Sequence, residues 1–471
     1  MQKSRPYLMD AIETASLIKS KKVSAHEIVS AAVERSKLLQ PDLNFLSYEG
    51  YGSAIDVSRT VEPNHILSGV PFLIKDIDNV AGFPTRFGSR GWENAPPAPS
   101  QPANIQVYLD AGLVCLGKSA TPEFGLLPTT EPLSNGVTRN PWNRKKSSGG
   151  SSGGAAAAVA AGVVPCAHAS DGGGSIRIPA SVCGVFGLKP SRSRMIETAP
   201  SGVPIQVSVH NCVSRSVRDS ALLFSLAENK SGIYPPIGMV TSASSKRLRI
   251  GVIYNSVGGI QPDEDVHNAI TDVVSLLEDL GHSVCESKWP LENDQFMEDF
   301  LVLWSCGASN LLEKLENNPS TRDAANLLEP FTQSLSYSYR QLDCDSRDNA
   351  FQNLNLSIET YNQYFDSFDI ILSPVVGKSS IDIGEFSPEL PIDILKNRIF
   401  DSIGYTMLCN IADAPAMSVP LGWSQSGLPI GIQFAAKSGA EKTLFELAYE
   451  LEEAAPWSNN YDRLHQRLYS R

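Results

Sequence analysis

The chain has 471 residues, 42% of them hydrophobic and 19% charged, enough to bury a large core and typical of a water-soluble globular fold. Lys and Arg total 39 against 51 Asp and Glu, a net charge of −12 with the basic residues scattered, which argues against nucleic acid or an anionic membrane as a partner. The eight cysteines form no CxxC pair and the seven histidines show no His-x-x-x-His spacing, so neither a disulfide framework nor a metal centre is expected.

In chain order, the first forty residues carry helical spacing. Leu17, Ile18, Ile28, Val29, Ala32 and Val33 recur three and four apart, and Ser24 is placed to cap the second helix. Residues 70–74 predict a short buried strand closed by the charged run Lys75-Asp-Ile-Asp78. Residues 114–116 predict another, after a helix from about 105. Residues 147–174 hold two glycine-rich loops flanking an alanine-rich helix, and glycine at that density implies close approach of backbone or positive φ. A strand at 249–253, a helix at 265–280 and a strand at 282–286 suggest a βαβ unit in a mixed sheet. Residues 292–365 read as mostly helical, 370–374 as a strand, 418–422 and 431–434 as strands around a Ser426-Gly427 turn, and 441–454 as an amphipathic helix. No internal repeat or long linker divides the chain, so one domain over 1–471 is expected. It would comprise N-terminal helices over 1–60, a core over 65–225, a variable helical region over 292–365 and the C-terminal part of the core over 366–471.

Three segments could carry chemistry. Lys75 ends an apolar strand, Ser151 lies in Gly149-Gly-Ser-Ser-Gly-Gly154, and Ser175 closes Asp171-Gly-Gly-Gly-Ser175. A serine after a polyglycine run has backbone N–H groups beside its hydroxyl, as an oxyanion hole requires. A serine hydroxyl is a weak nucleophile until a neighbouring base activates it. A lysine can be that base only when neutral, which burial against Leu73 and Ile74 would favour. Two rival serine motifs fail on context. Ser16-Leu-Ile-Lys19 matches S-x-x-K but no S-D-N or K-T-G follows. Residues 149–153 match G-x-S-x-G, yet the preceding Asn143-Arg-Lys-Lys-Ser-Ser148 is no apolar strand of a nucleophile elbow.

Taken together, GVPFLIKDIDNVAGFPT, GKSATPEFG, TRNPWN, GGSSGG, DGGGSIRIPASVCGVFGLKP and IADAPAMSVPLG…GLPIGIQFAA resemble the motifs of the amidase signature family, in order and over nearly the whole chain. The match is weakest between about 225 and 400; TTEP…TRNPWN and HNCVSRSVRD are most similar to hydrolases of aminohexanoate oligoamides. The resemblance implies a single α/β domain, a twisted mixed sheet sandwiched by helices with a helical excursion over the active site. It implies amide hydrolysis through an acyl-enzyme, with Ser175 as nucleophile, Ser151 as proton shuttle preceded by a cis peptide bond, and Lys75 as base. Backbone N–H groups of Gly172, Gly173, Gly174 and Ser175 would form the oxyanion hole. Ala169-Ser170 departs from the family's usual Gly-Thr, and Gly172 adds a third glycine to its loop. Asp171 and Arg177 are expected to pair as a brace for that loop. Thr129, Thr130 and Cys306 are candidate pocket residues, although a buried packing role is the plainer reading of Cys306. The aromatics of the 292–400 region favour an apolar or extended acyl group. No cofactor is implied. A small-molecule amide is the expected partner, with homodimerisation open. A rival member of the family, the A subunit of an aminoacyl-tRNA amidotransferase, fits the acidic charge poorly. Neither a cleavable apolar leader nor a membrane-length apolar run is present, the longest, 155–165, being about half a span, so a cytoplasmic location is expected.

Overall fold

Short apolar runs bounded by glycine, proline and charged residues form eleven strands among the described residues. They are β1 (Leu46–Glu49), β2 (Pro71–Lys75), β3 (Val114–Ser119), β4 (Cys166–Asp171), β5 (Phe186–Lys189), β6 (Val209–Ser214), β7 (Arg249–Val252), β8 (Ser283–Glu286), β9 (Ile370–Pro374), β10 (Ala416–Trp423) and β11 (Pro429–Ala435). The computed structural model describes residues 9–196, 202–291, 294–319 and 321–470. The expected N-terminal and variable helical regions therefore lie partly outside the described residues, at 1–8, 292–293 and 320.

Eight strands make one mixed sheet in the order β4-β6-β5-β10-β11-β9-β7-β8. Its pairings are antiparallel from β4 to β9 and parallel across β9-β7-β8. The parallel edge comes from the expected βαβ unit, in which the Glu264–Asp279 helix carries the chain from β7 to β8. The structure adds a second sheet of three strands, β1-β3-β2, with β2 parallel to β3 and β1 antiparallel to it. The predicted strands at 70–74 and 114–116 are thus partners of each other, and Lys75 ends the small sheet rather than the large one.

The Arg177–Cys183 and Glu264–Asp279 helices pack on β10 and β11, while the Val217–Ala227 helix lies on β5 and β6 and contacts the Glu441–Ala454 helix, which reaches β10. Ser24 caps the Ala25–Leu43 helix as predicted, in a reciprocal capping box with Glu27. The Gly153–Ala160 helix is buried on every side, which suits a helix apolar all round. Its tightest point is Gly154, where a Cβ would lie 2.4 Å from both the Ala120 nitrogen and the Phe45 carbonyl oxygen. Over 294–364 the chain leaves the sheets as four helices, Asp294–Asn317, Arg322–Ala325, Pro330–Gln341 and Cys344–Tyr364. Among the described residues no helix is long and apolar enough to cross a membrane.

Candidate active site

β2 delivers Lys75 into a site with no solvent exposure. Its amine donates to Ser151 Oγ at 2.6 Å and to Ser170 Oγ at 3.0 Å. Burial pushes the Lys75 amine down to about 7, against the opposing pull of Asp78 and Asp171. The Ser170 contact went unnoticed in the sequence, where Ser170 only marked a departure from threonine. A threonine offers the same hydroxyl, which is the signal that could have found it.

Ser151 follows a cis peptide bond from Gly150, as the family resemblance implies. At Gly150 a Cβ would lie 2.6–2.7 Å from three backbone atoms of Thr129. Thr130 Oγ1 donates to the Gly149 carbonyl at 2.9 Å and accepts from the Gly153 N–H at 3.2 Å. Thr129 and Thr130, expected as pocket residues, are instead fully buried behind the serine loop. The Thr129 backbone and the Thr130 hydroxyl are spent on shaping it.

Ser175 sits beside that loop, its carbonyl accepting from the Ser152 N–H at 3.3 Å. Asp171 and Arg177 brace the polyglycine turn as expected. Arg177 donates to both Asp171 oxygens, at 2.9 and 3.0 Å, and also to the Thr406 carbonyl, Gln433 and Asn410. Burial would raise the Asp171 carboxyl, but the Arg177 guanidinium holds it well below the usual carboxylate range. One oxyanion assignment needs correction. The Gly174 N–H donates to Asp171 Oδ1 at 2.7 Å, so it is committed to the brace. Gly172, Gly173 and Ser175 remain as the candidate donors in this turn.

An apolar cavity, about 540 Å³ when the solvent at its mouth is counted, opens onto Ser175 and Gly173. Phe300 and Trp304 from the Asp294–Asn317 helix, Phe331, Phe400, Ile178 and Met407 form much of its wall. Among the described lining residues none carries an ionisable side chain. Trp304 packs over Gly172 and donates its indole N–H to the Leu126 carbonyl at 3.1 Å. Cys306, also a candidate, does not reach this cavity. It is buried two residues further along the helix, its sulfur accepting from Asn310 at 3.7 Å. The helical turn carries it away from the face that Phe300 and Trp304 present.

On the lysine side lies a second, larger cavity of mixed lining, about 2160 Å³ with part of it open to solvent, reached by Asp78, His210, Gln206 and Phe124. Here the fold gathers Asp78, His168 and His210, whose nearest ligand atoms lie within 4.8 Å of one another. Histidines 42 residues apart have no spacing to read; β4 and β6 bring them together by pairing His168 with Cys212 and Ser170 with His210. The Lys75 N–H donates to His168 Nδ1 at 3.3 Å. That bond places the imidazole's own proton on Nε2, the atom a metal ion would need bare, so the trio does not suit a metal. Burial, partly opposed by Asp78, drives His168 down to about 3 and keeps it neutral.

Comparison with known proteins identifies the family. The sequence model of the family described as Amidase matches residues 27–445. The chain is 36% identical over 456 residues to "Putative amidase AmiC" of Mycobacterium tuberculosis, covering 96% of this chain and 95% of that one. Among solved structures, 6-aminohexanoate cyclic dimer hydrolase complexed with substrate superposes with a TM-score of 0.89 at 29% identity, over 98% of this chain and 99% of that one. A bacterial aryl acylamidase of the amidase signature family gives a TM-score of 0.87 at 25% identity, over 98% and 99% of the two chains. The chain belongs to the amidase signature family and is a hydrolase acting on carbon–nitrogen bonds.

Proposed function

We propose that this enzyme cleaves linear amides with an uncharged, apolar acyl group through a Ser175 acyl-enzyme. The observation that carries the reading is the buried Lys75 amine 2.6 Å from Ser151 Oγ, beside an apolar cavity that opens on Ser175. Neutral Lys75 takes the Ser151 proton as Ser151 takes that of Ser175, and Ser175 Oγ attacks the carbonyl carbon. The oxyanion is held by backbone N–H groups of Gly172, Gly173 and Ser175. As the C–N bond breaks, Ser151 returns a proton to the departing amine and is reprotonated by Lys75. Water then attacks the ester by the same route and releases the carboxylic acid. The partner is thus a small-molecule amide.

The relatives' names point to an aminohexanoate cyclic dimer and to aryl acylamides. Both present an uncharged acyl part, which the cavity accepts; a linear oligoamide with a charged end in the cavity would bear a desolvation penalty of several kcal/mol. A panel of benzoyl and hexanoyl anilides, primary amides, the cyclic dimer and linear aminohexanoate oligomers tests this. Uncharged acyl groups should lead by about tenfold or more in kcat/KM, since one methylene in an apolar pocket is already worth ~10-fold. Preference for acyl groups bearing an ammonium would overturn the apolar part of the proposal. Intact-mass detection of the acyl adduct on Ser175 tests the covalent part.

A further inference from the structure

A carbonyl carbon held at Ser175 has three groups to place. The acyl part enters the apolar cavity, and the oxygen turns to the N–H groups of the polyglycine turn. The nitrogen is left facing Ser151, which has to protonate it. The larger cavity adjoins that position. Asp171, from which the polyglycine turn departs, pairs with Val209 of β6, and Val209 and His210 line this cavity. Ile77 lines it two residues after Lys75, and Phe124 lines it as well. The residue after Phe124, Gly125, lines the acyl cavity instead, so close to Ser151 that a Cβ there would lie 3.1 Å from Ser151 Oγ. The two cavities thus flank Phe124-Gly125, beside the serine that serves the leaving group.

The wall at this junction is strained. Phe87 (φ +55°) and Phe124 (φ +49°) both occupy the left-handed region, which bulky side chains seldom adopt. Backbone bonds fix them there. The Phe87 N–H donates to the Asp76 carbonyl at 3.1 Å, and the Phe124 N–H donates to the Phe87 carbonyl at 2.7 Å. The wall therefore hangs from the end of β2, one residue past Lys75. Its two rings stack with centroids 5.8 Å and planes 24° apart, and Trp92 meets both edge-on at 6.0 and 5.3 Å. Both phenylalanines are only partly buried, and both line the larger cavity. Glycine would hold either turn without strain, so packing of the turns does not call for aromatic rings. Enforced strain of this kind gathers at ligand clamps.

We propose that the larger cavity holds the departing amine, with Phe87 and Phe124 as its aromatic wall, and that the substrates are N-substituted amides whose amine carries an apolar or aromatic group, not primary amides. The inference rests on the Ser175 acyl-enzyme reading and supplies the other half of the substrate. An amine such as benzylamine buries its carbon part against the two rings and Ile77 while its nitrogen faces Ser151. Ammonia has no carbon part to bury and gains nothing from the wall.

The test holds the acyl group at hexanoyl and varies the amine among ammonia, methylamine, butylamine and benzylamine, whose similar basicities make C–N cleavage comparably demanding. In the wild type kcat/KM should rise along the series, with the benzylamide ahead of the primary amide by about tenfold or more, since one methylene in an apolar pocket is already worth ~10-fold. Phe124→Ala and Phe87→Ala should each bring the benzylamide-to-primary-amide ratio down toward one. General damage to the site slows both substrates alike and leaves that ratio in place. Should Phe124→Ala fail to fold, Phe87→Ala, further from Ser151 along the chain of bonds, decides. A wild type that cleaves the primary amide as fast as the benzylamide, or two variants that both keep the wild-type ratio, overturns the inference. The acyl-enzyme reading survives either result if intact mass still shows the hexanoyl adduct on Ser175. Absence of that adduct overturns the reading and this inference with it.

Discussion

A lysine amine can take a proton from serine only after losing its own, and at Lys75 the cause of that loss is burial. The sign follows directly. Below pH of about 7 the ammonium dominates and the base is blocked; above it the amine is free. Acylation should therefore rise through neutrality and level off, as a pH series of single-turnover rates would show. Lys75→Ala should lower turnover by ~10²–10⁴-fold, the usual worth of acid–base assistance, and a variant within threefold of wild type would refute the assignment. The two serines differ in what they touch. Ser175 adjoins the glycine N–H groups, so Ser175→Ala should abolish labelling and turnover of esters and amides alike. Ser151 is bonded to Lys75 and would supply the leaving-group proton. An amine leaves poorly unprotonated while an activated alkoxide does not, so Ser151→Ala should impair an amide more than its matched ester. Kinetics of both variants on one ester–amide pair decide it.

At the scale of elements, the glycine-rich loops and the helices that walled the cavity were legible for different reasons. Close-packed backbone demands glycine, so 149–154 and 171–175 announced themselves by composition. The 292–365 helices announced themselves by periodicity, with 292, 293 and 320 outside the described residues. β4 was not foreseen, because Cys166-Ala-His-Ala-Ser-Asp171 is buried on both faces and shows neither alternation nor a β-branched run. The same strand holds His168, Ser170 and Asp171, which is why the surroundings of Lys75 were less readable than Lys75 itself. β1, β5 and β6 also went unread in the sequence. Two substitutions probe these elements. Gly150→Ala would drive a methyl group to 2.6 Å from the Thr129 carbonyl oxygen. Overpacking typically costs about 1–3 kcal/mol, so a lowered Tm together with lost activity is expected. Trp304→Ala removes a wall of the acyl cavity and the hydrogen bond to Leu126. The preference among anilides should shift toward bulkier acyl groups by ~10-fold in kcat/KM, with Lys75-dependent pH behaviour unchanged.

Across the whole molecule, the last helix supports chemistry that lies some three hundred residues earlier in sequence. The Ser458–Tyr469 helix buries Tyr461, Leu464, His465 and Leu468. Its Tyr461 hydroxyl donates to the Gly184 carbonyl at 2.7 Å, His465 Nε2 lies 2.9 Å from the Ala160 carbonyl, and the Tyr469 hydroxyl donates to the Ala161 carbonyl at 2.7 Å. Trp457 adds a bond to the Arg215 carbonyl at 2.8 Å, and Arg215 in turn holds the Val159 and Val164 carbonyls. Ala160 and Ala161 end the helix that begins two residues after Ser151, and Gly184 ends the one that begins two residues after Ser175. The C-terminal helix thus satisfies the carbonyl ends of both helices that follow the serines. Each large apolar side chain it buries is worth about 1.5–3 kcal/mol, a sizeable part of the 5–15 kcal/mol by which a folded protein is usually stable. Two consequences can be measured. Tyr461→Phe, which deletes one hydrogen bond and keeps the ring, should destabilise by about 1 kcal/mol. A chain ending at residue 456 should melt far lower than the full chain, and activity should vanish in the same transition as the near-ultraviolet signal of the core. Activity and fold are expected to be lost together because a single core encloses Lys75, Ser151, Ser175 and the C-terminal helix. A truncated chain that melts normally, or an activity lost well before the core unfolds, would show instead that the C-terminal helix is an ornament on an independently stable site.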